Sequence, residues 1–171
     1  MRYRHKMILP TNRIFTSSSP DVPADVPVGI QAERQVGAIP YTWVKDHITY
    51  LLITSRGTGK WLFPKGNLPD DAHPRDIAVH EARQEAGVAG DIHDEPVGLY
   101  RDWKTRDEEK IPIDITMYPL RVKNQFDDWR ESDQRYRHWV TLPDLRDLVP
   151  NVGLLDLVTQ LHSVLTDEPV Q

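Results

Sequence analysis

The chain has 171 residues, with 26 acidic side chains against 21 basic ones and a formal net charge of −5 at pH 7. This acidic balance argues against broad binding of nucleic acid, which requires a positive surface. The lack of cysteine excludes disulfides, thiolate catalysis and cysteine-ligated metal sites, and no apolar run approaches the roughly 18 residues of a membrane span. One domain with a sizeable core suits this length, and a cytoplasmic location is expected.

Residues 1–29 are predicted to form an N-terminal extension that ends in a linker. Residues 16–29 are rich in serine, proline and aspartate, a composition typical of flexible or extended connectors. Met7, Ile8 and Leu9 precede the linker and offer apolar surface for docking on the domain or on a second copy, so a homodimer is one possible arrangement. The folded domain is predicted to occupy residues 30–171.

Hydrophobic patterning predicts strands first, one helix between them and another helix last. Residues 34–40 and 50–56 have the alternating or clustered apolar residues of buried strands and are expected to pair as a hairpin. Residues 61–64 then lead into a loop. The later predicted elements are strands at 96–103 and 111–122 joined by a charged turn at 104–110, a strand at 135–141, and an amphipathic helix at 154–165. This order indicates an α/β fold with a mixed sheet between helices.

A central helix is predicted between Pro74 and Gly87. Proline suits the first helical turn, where its missing N–H is not needed, and glycine suits the position just past the end. A small apolar face, fit for close packing on a sheet, recurs at three- and four-residue spacing. Its members are Ile77, Ala78, Ala82 and Ala86.

Glu81 and Glu85 share a second face of this helix. Side chains four residues apart lie roughly 5–6 Å from each other, so two carboxylates there repel unless a cation lies between them. Mg²⁺ is favoured because it binds carboxylate oxygens while keeping waters and contacting phosphates. The alternative is a surface helix that carries two glutamates by chance.

The segment 61–88 resembles the Nudix box, the signature of hydrolases that cut diphosphate bonds. Counted from Gly66 without insertion, the pattern finds its expected residue types at Glu81, Ala82, Glu85, Gly87 and Val88. The recognisable similarity extends over about residues 34–161. It implies the Nudix-type α/β/α sandwich with a mixed sheet.

Three positions depart from the box pattern. Ala72 and Gln84 stand where the pattern has glutamates, and His80 stands where it has arginine. A neutral Gln84 should lower metal affinity, and His80 cannot offer the planar charged fork that orients neighbouring carboxylates. Asp70 and Asp71 are candidates to replace the carboxylate missing at Ala72.

Five short segments narrow the similarity to one branch of the family. Residues 54–56, 61–66, 118–122, 128–131 and 135–139 look like the diphosphoinositol polyphosphate phosphohydrolase branch and its bacterial relatives. Enzymes that cut dinucleoside polyphosphates share the Pro-Lys-Gly element. The implied substrate is therefore an inositol pyrophosphate, a dinucleoside polyphosphate or another nucleoside diphosphate derivative.

The resemblance implies catalysis with Mg²⁺, with Mn²⁺ as an alternative. The implied metal-binding residues are Gly66, Glu81, Gln84 and Glu85. The catalytic carboxylates are Glu81 and Glu85 together with a general base, for which Glu131 is the loop candidate, with Glu108 and Glu109 behind it. An ordinary solvated carboxylate is the alternative interpretation of Glu131.

A polyphosphate also needs local cations. The resemblance places the following candidates near the box helix: Arg34, Arg56, Lys65, Gly66, Arg121, Arg135 and Arg137. Arg135 and Arg137 lie two apart, so on a strand they would project to one face and grip a phosphate together. Surface salt bridges are the alternative for each arginine.

Two functional classes stay open. The first is an active Mg²⁺-dependent phosphohydrolase with fewer carboxylates than its relatives. The second is a binding or regulatory module that keeps the phosphate pocket after losing efficient chemistry. A third arrangement, with the site reshaped for an unusual metal, is disfavoured because His80 and Glu81 would point about 100° apart on the helix.

Overall fold

A computed structural model describes residues 31–167 of the chain. The predicted extension and linker at residues 1–29, with the proposed docking of the apolar segment, lie outside the described residues. Within the described part, the elements in chain order are β1 (Glu33–Val44), β2 (His47–Thr54), β3 (Trp61–Leu62), β4 (Lys65–Asn67), α1 (Pro74–Ala86), β5 (Val88–Ile92), β6 (Gly98–Arg106), β7 (Glu109–Gln125), β8 (Arg137–Val140), α2 (Leu142–Leu148) and α3 (Val152–Asp167).

The strands form a mixed sheet with β1 at its centre. β1 pairs antiparallel with β2 and with the short β4, and parallel with β7. β7 in turn pairs antiparallel with β5 and β6, while β3 and β8 pair antiparallel with β2. The predicted hairpin of the first two strands and the predicted mixed sheet are both confirmed.

Helices cover both faces of the sheet. On one face α1 packs against a core that includes Val36, Leu51 and Leu120. On the other face α3 and α2 cover a larger core around Tyr41 and Phe63. The expected α/β/α sandwich is therefore observed. None of the helices described between residues 31 and 167 has the length and apolar character that crossing a membrane requires.

Helix α1 follows its sequence pattern closely. It begins at Pro74, and Gly87 ends it with a φ of 63°, a left-handed conformation that favours glycine. Ala78, Ala82 and Ala86 are fully buried. Because these side chains are small, the helix lies close to the sheet, and its glutamates are held at a fixed distance from the strands.

Strand β4 lies in a segment that was predicted as a loop, and two later elements were also not predicted. Strand β5 begins at Val88, directly after the glycine that ends α1, so no separate turn signal marks its start. Helix α2 has seven residues, too few for a helical period to stand out. Its start is nevertheless marked by a Thr141–Asp144 pair, in which the Asp144 carboxylate accepts the Thr141 hydroxyl at 2.7 Å.

Several predicted boundaries were displaced. The turn predicted at 104–110 is reduced to Asp107 and Glu108, both with positive φ, because the flanking charged residues continue the β6–β7 ladder. The predicted strand at 135–141 begins only at Arg137. The predicted second strand ends at Thr54, before Arg56. Arg56 and Arg135 therefore lie in loops.

We expect Ala82→Leu to destabilise the domain by about 1–3 kcal/mol, because three added carbons would have to enter a fully packed helix–sheet contact. The matched control is Val79→Leu on the exposed side of the same helix, which should change stability by less than about 0.5 kcal/mol. Urea unfolding midpoints measure both changes. Equal midpoints for the two variants would contradict the close packing described here.

Candidate active site

Helix α1 directs Glu81 and Glu85 toward strand β4. The Glu85 carboxylate accepts the backbone N–H of Lys65 at 3.0 Å. The Glu81 carboxyl lies against Gly66, where an added Cβ would collide with it. Gly66 thus leaves the room that the Glu81 side chain occupies.

Arg135 lies at the centre of the carboxylate cluster. Its guanidinium donates to Glu85, to Glu131 Oε2 at 2.5 Å and to the backbone carbonyl of Thr54 at 2.8 Å. The three charged residues are each at least nine-tenths buried. This arginine therefore joins the box helix, the loop before β8 and the end of β2.

Glu131 is brought to the box helix by this loop. Its second oxygen accepts the side-chain amide of Gln84 at 3.2 Å, and the exposed guanidinium of Arg56 lies 3.8 Å away. Burial opposes ionisation of Glu131, but the hydrogen bonds from Arg135 and Gln84 outweigh it and hold the pKa of the carboxyl below its usual value. Glu131 is therefore a buried carboxylate with its charge compensated.

Glu81 differs from both neighbours because its carboxylate has no hydrogen-bond or ion-pair partner among the described residues. Burial raises the pKa of Glu81, with Glu131 adding a repulsive contribution. Burial also raises the pKa of Glu85, against the opposing effects of the Lys65 N–H and Arg135. The three carboxylates are thus close enough to influence one another, and Glu81 is the one left available.

Lys65 supplies a second cation near the cluster. Its ammonium donates to Gln35 Oε1 at 2.9 Å. Burial lowers the pKa of Lys65, while Asp102 and Glu85 act in the opposite direction. Because Gln35 is neutral, this hydrogen bond leaves the positive charge of Lys65 uncompensated.

The structure separates Arg135 from Arg137. Arg137 donates to the backbone carbonyl of Ala86 at 3.1 Å, and its guanidinium lies 4.0 Å from the centre of the Trp129 ring. The expectation that both arginines share one strand face was wrong, because β8 begins at Arg137 and Arg135 belongs to the loop before it. Arg137 instead caps the end of α1.

The other predicted cations lie apart from the carboxylates. Arg34 is an exposed residue of β1, and Arg121 is stacked on Trp43 with its guanidinium carbon 5.1 Å from the ring centre. Glu108 and Glu109, the reserve candidates for the base, lie at the exposed β6–β7 hairpin end. Their predicted roles remain predictions.

The altered box positions differ in their exposure and in their contacts. His80 is exposed on the helix, whereas Gln84 is drawn into the cluster as a donor to Glu131. Asp70 and Asp71 are exposed in the turn before α1. Residues 31–167 contain no group of three or more histidine, aspartate or glutamate side chains arranged to hold a metal ion. Replacement of the carboxylate missing at Ala72 by either aspartate stays a prediction.

The remaining donor set nevertheless fits a hard divalent cation. Mg²⁺ commonly uses one or two carboxylates, several waters and substrate phosphates. Glu81 offers an unpartnered carboxylate beside the backbone of Gly66, and Glu85 lies one turn further along the same helix. The residues present are all oxygen donors, as such an ion requires.

A groove of about 420 Å³ borders the cluster on the Gln84 side. The guanidinium carbon of Arg83 lies 4.6 Å from the Phe126 ring centre within it. Its lining residues are His80, Arg83, Gln84, Phe126, Asp128, Trp129 and Arg130. Another groove, of about 470 Å³, lies beside α2 and α3 and contains none of the carboxylates described above.

Sequence reasoning missed three residues that shape the site. Thr54 and Trp129 lie in short segments that resemble the family. The sequence therefore drew attention to both residues, but it did not indicate what either of them contacts. The Trp129 indole donates to the backbone carbonyl of Glu85 at 3.1 Å. Gln35, the partner of Lys65, had no signal of its own in the sequence.

The chain is similar in sequence to several Nudix hydrolases. Nudix hydrolase 21, chloroplastic, of Arabidopsis thaliana is 36% identical over 121 residues, which cover 68% of this chain and 59% of that relative. Nudix hydrolase 16, mitochondrial, of the same plant is 31% identical, with 63% of this chain and 67% of the relative covered. Diphosphoinositol polyphosphate phosphohydrolase 3-beta of Homo sapiens is 24% identical over 66% of each chain. The chain thus spans less than two thirds of the length of the first relative. No family model matches it.

Solved structures share the fold. A Caenorhabditis elegans Ap4A hydrolase in a binary complex superposes with a TM-score of 0.62 at 16% identity, covering 80% of this chain and all of that one. The NUDIX domain of Shewanella oneidensis NrtR complexed with ADP ribose gives a TM-score of 0.60 at 16% identity, covering 80% and 90%. At these identities the likeness concerns the fold alone.

We expect Glu81→Gln to raise the melting temperature at pH 7 in metal-free buffer by about 1–3 °C. The folded state raises the pKa of Glu81, so the folded chain binds the proton more tightly, and stability falls as pH rises from the unfolded pKa through the folded one. The gain should therefore vanish near pH 4. Melting curves at both pH values test it, with Glu108→Gln as the exposed control. A variant less stable than the wild type at pH 7 would contradict the unpartnered carboxylate.

Proposed function

Because this chain belongs to the Nudix hydrolase family, we propose that it hydrolyses a diphosphate bond in a phosphorylated small molecule with the help of a divalent cation. The observation that carries the proposal is the convergence of Glu81, Glu85 and Glu131 beside the Lys65–Gly66 strand. Burial raises the pKa of Glu81 and of Glu85, and perturbed acids that lie close together are common at functional sites. Cation-assisted phosphoryl chemistry is a function that uses such carboxylates.

Glu81 is the residue that we propose to hold the cation, with Gly66 beside it and Glu85 as the second carboxylate. Mg²⁺ or Mn²⁺ bound there would polarise phosphate oxygens and lower the pKa of a bound water. Lys65 and Arg56 then supply positive charge for the substrate phosphates, since neither is tied to a carboxylate at short range. Held in this way, the scissile phosphate would be oriented for in-line attack.

Glu131 is poorly suited to accept a proton from the attacking water. Hydrogen bonds from Arg135 and Gln84 lower the pKa of Glu131, which makes that carboxylate a weaker base. No protein donor covers the oxygens of Glu81 among the described residues, so this carboxylate is free to hold the cation, which would offset the rise in pKa that burial causes. We therefore assign Glu131 a structural and electrostatic role and Glu81 the role of holding the cation.

Three substrate classes are consistent with the relatives. A matched human relative is named for diphosphoinositol polyphosphates, one structural neighbour for Ap4A, and another is bound to ADP ribose. The groove beside Gln84 contains Phe126 and Trp129 as well as arginines. This mixture favours a nucleoside diphosphate derivative or a dinucleoside polyphosphate, because aromatic side chains stack on bases and inositol rings offer no π face. The cytoplasmic location and the homodimer remain predictions.

A binding module is the second candidate. Arg135 already compensates Glu85 and Glu131 without a metal, and a site that needs no metal for its stability can retain a polyphosphate ligand without turnover. Such a module would bind through Lys65 and Arg56. It would release no phosphate product.

The test is product formation from a panel of inositol pyrophosphate, diadenosine polyphosphate, ADP ribose and nucleoside triphosphates, with Mg²⁺ or Mn²⁺. We expect metal-dependent turnover that Glu81→Gln lowers by about 10²–10⁴-fold. Glu81→Gln is a sharper control than a change at Glu85, because Glu85 also anchors Lys65 and Arg135. Ligands that raise the melting temperature while no product forms would instead establish the binding module.

A second variant tests the position of Glu81 without removing its charge. In Gly66→Ala the added Cβ would push the Glu81 carboxyl aside, and the flexible glutamate can yield at little cost in stability. Turnover should fall by about tenfold or more, with the melting temperature within about 2 °C of the wild type. Full activity in this variant would show that Glu81 does not act from the position described here.

A further inference from the structure

One guanidinium occupies the space between two of the three carboxylates. Arg135 donates through Nε to Glu131 and through Nη2 to Glu85, while Nη1 donates to the Thr54 carbonyl. Its side chain is 5% exposed, and those of Glu131 and Glu85 are 6% and 10% exposed. Little water reaches the ion pairs, so their attraction is only weakly screened.

We propose that Arg135 is a positioning residue and an internal counter-ion that sets the metal affinity of the site. It fixes Glu85 and Glu131 in place, and it competes with a divalent cation for both of them. Glu81 then remains as the carboxylate that a metal can bind without displacing a protein cation. This inference rests on the proposed function, because it concerns the same site.

The altered helix position supports this assignment. His80, where the box pattern has arginine, is exposed and lacks a planar guanidinium. The fork that reaches the box carboxylate Glu85 comes instead from Arg135 in the loop before β8. Gln84 completes the arrangement by donating to the second oxygen of Glu131. A loop residue thus orients carboxylates that belong to two separate segments.

The neighbouring cations do not duplicate this role. Arg56 approaches only Glu131, at 3.8 Å, and its side chain is 59% exposed. Lys65 contacts Glu85 through its backbone N–H, and its ammonium is bonded to Gln35. Among residues 31–167, Arg135 is the cation that contacts both carboxylates.

The experiment compares Mn²⁺ binding to the full-length chain and its variants by electron paramagnetic resonance, without substrate. Arg135→Met removes the charge and keeps an apolar stem, so Mn²⁺ should bind at least about tenfold more tightly. Arg137→Met is the matched control: that guanidinium lies on Trp129 and donates to a backbone carbonyl, and within residues 31–167 it forms no salt bridge with a carboxylate. Its affinity should stay within about twofold of the wild type.

Adding Glu81→Gln to Arg135→Met should abolish the gain, which places the metal in this cluster. A merely structural arginine would give a looser site when removed, so an unchanged or weaker Mn²⁺ affinity overturns the proposal. If Arg135→Met does not fold, Arg135→Lys carries the test. A point charge holds two carboxylates less well than a fork, and binding about threefold tighter is expected. Unchanged or weaker binding in that variant also overturns the proposal.

The two proposals fail separately. If Arg135→Met binds Mn²⁺ more tightly than the wild type, and the wild type releases no product, hydrolysis is refuted and the role of Arg135 is supported. Metal-dependent hydrolysis by a wild-type chain whose Mn²⁺ affinity is unchanged in Arg135→Met would refute the role of Arg135 alone.

Discussion

The attachment of helix α1 through Glu85 is the interaction on which the arrangement of the site depends. One carboxylate oxygen accepts the backbone N–H of Lys65, the other accepts Arg135, and the backbone carbonyl accepts the Trp129 indole. A single residue therefore holds strand β4, the loop before β8 and the end of the helix in register. The alanine face of α1 fixes the distance from the sheet, and Glu85 fixes the rotation and the lengthwise position. The position of Glu81, one turn earlier, follows from these contacts, although its carboxylate has no hydrogen-bond or ion-pair partner among residues 31–167.

Much of this organisation can be predicted from residues that lie close together in the sequence. Pro74 and Gly87 mark the ends of α1, and the recurring alanines identify its buried face. The alternating apolar residues of β1 and β2 predict a hairpin because each strand presents one periodic face to a core. These features depend on residues close together in the chain, where backbone preference and periodicity act directly. Boundaries were less predictable, since ladder hydrogen bonds extend β6 and β7 through residues whose side chains are charged and exposed.

The site itself depends on contacts between distant segments, and here the sequence was less informative. Glu81, Glu85 and Glu131 were identified as candidates, but nothing in their spacing placed Glu131 against Gln84. Arg135 was recognised as a cation near the site and was expected to face a phosphate. It is instead buried between two carboxylates, because a guanidinium can satisfy several acceptors at once where water is excluded. Which acceptor a charged side chain meets is determined by the folded packing of its loop, and a local pattern does not contain that information.

The parallel pairing of β1 with β7 has a consequence for how the chain is made. Glu33 lies beside Ile113, about 80 residues later in the chain. The edge of β1 that pairs with β7 therefore stays unpaired until the ribosome has synthesised β7. At about 5–20 residues per second, the β1–β2 hairpin exists for several seconds with its apolar strand edge open. Joining segments so far apart also carries a large loop-closure entropy, which slows the step. The nascent chain therefore passes through a period in which strand-to-strand aggregation competes with completion of the sheet.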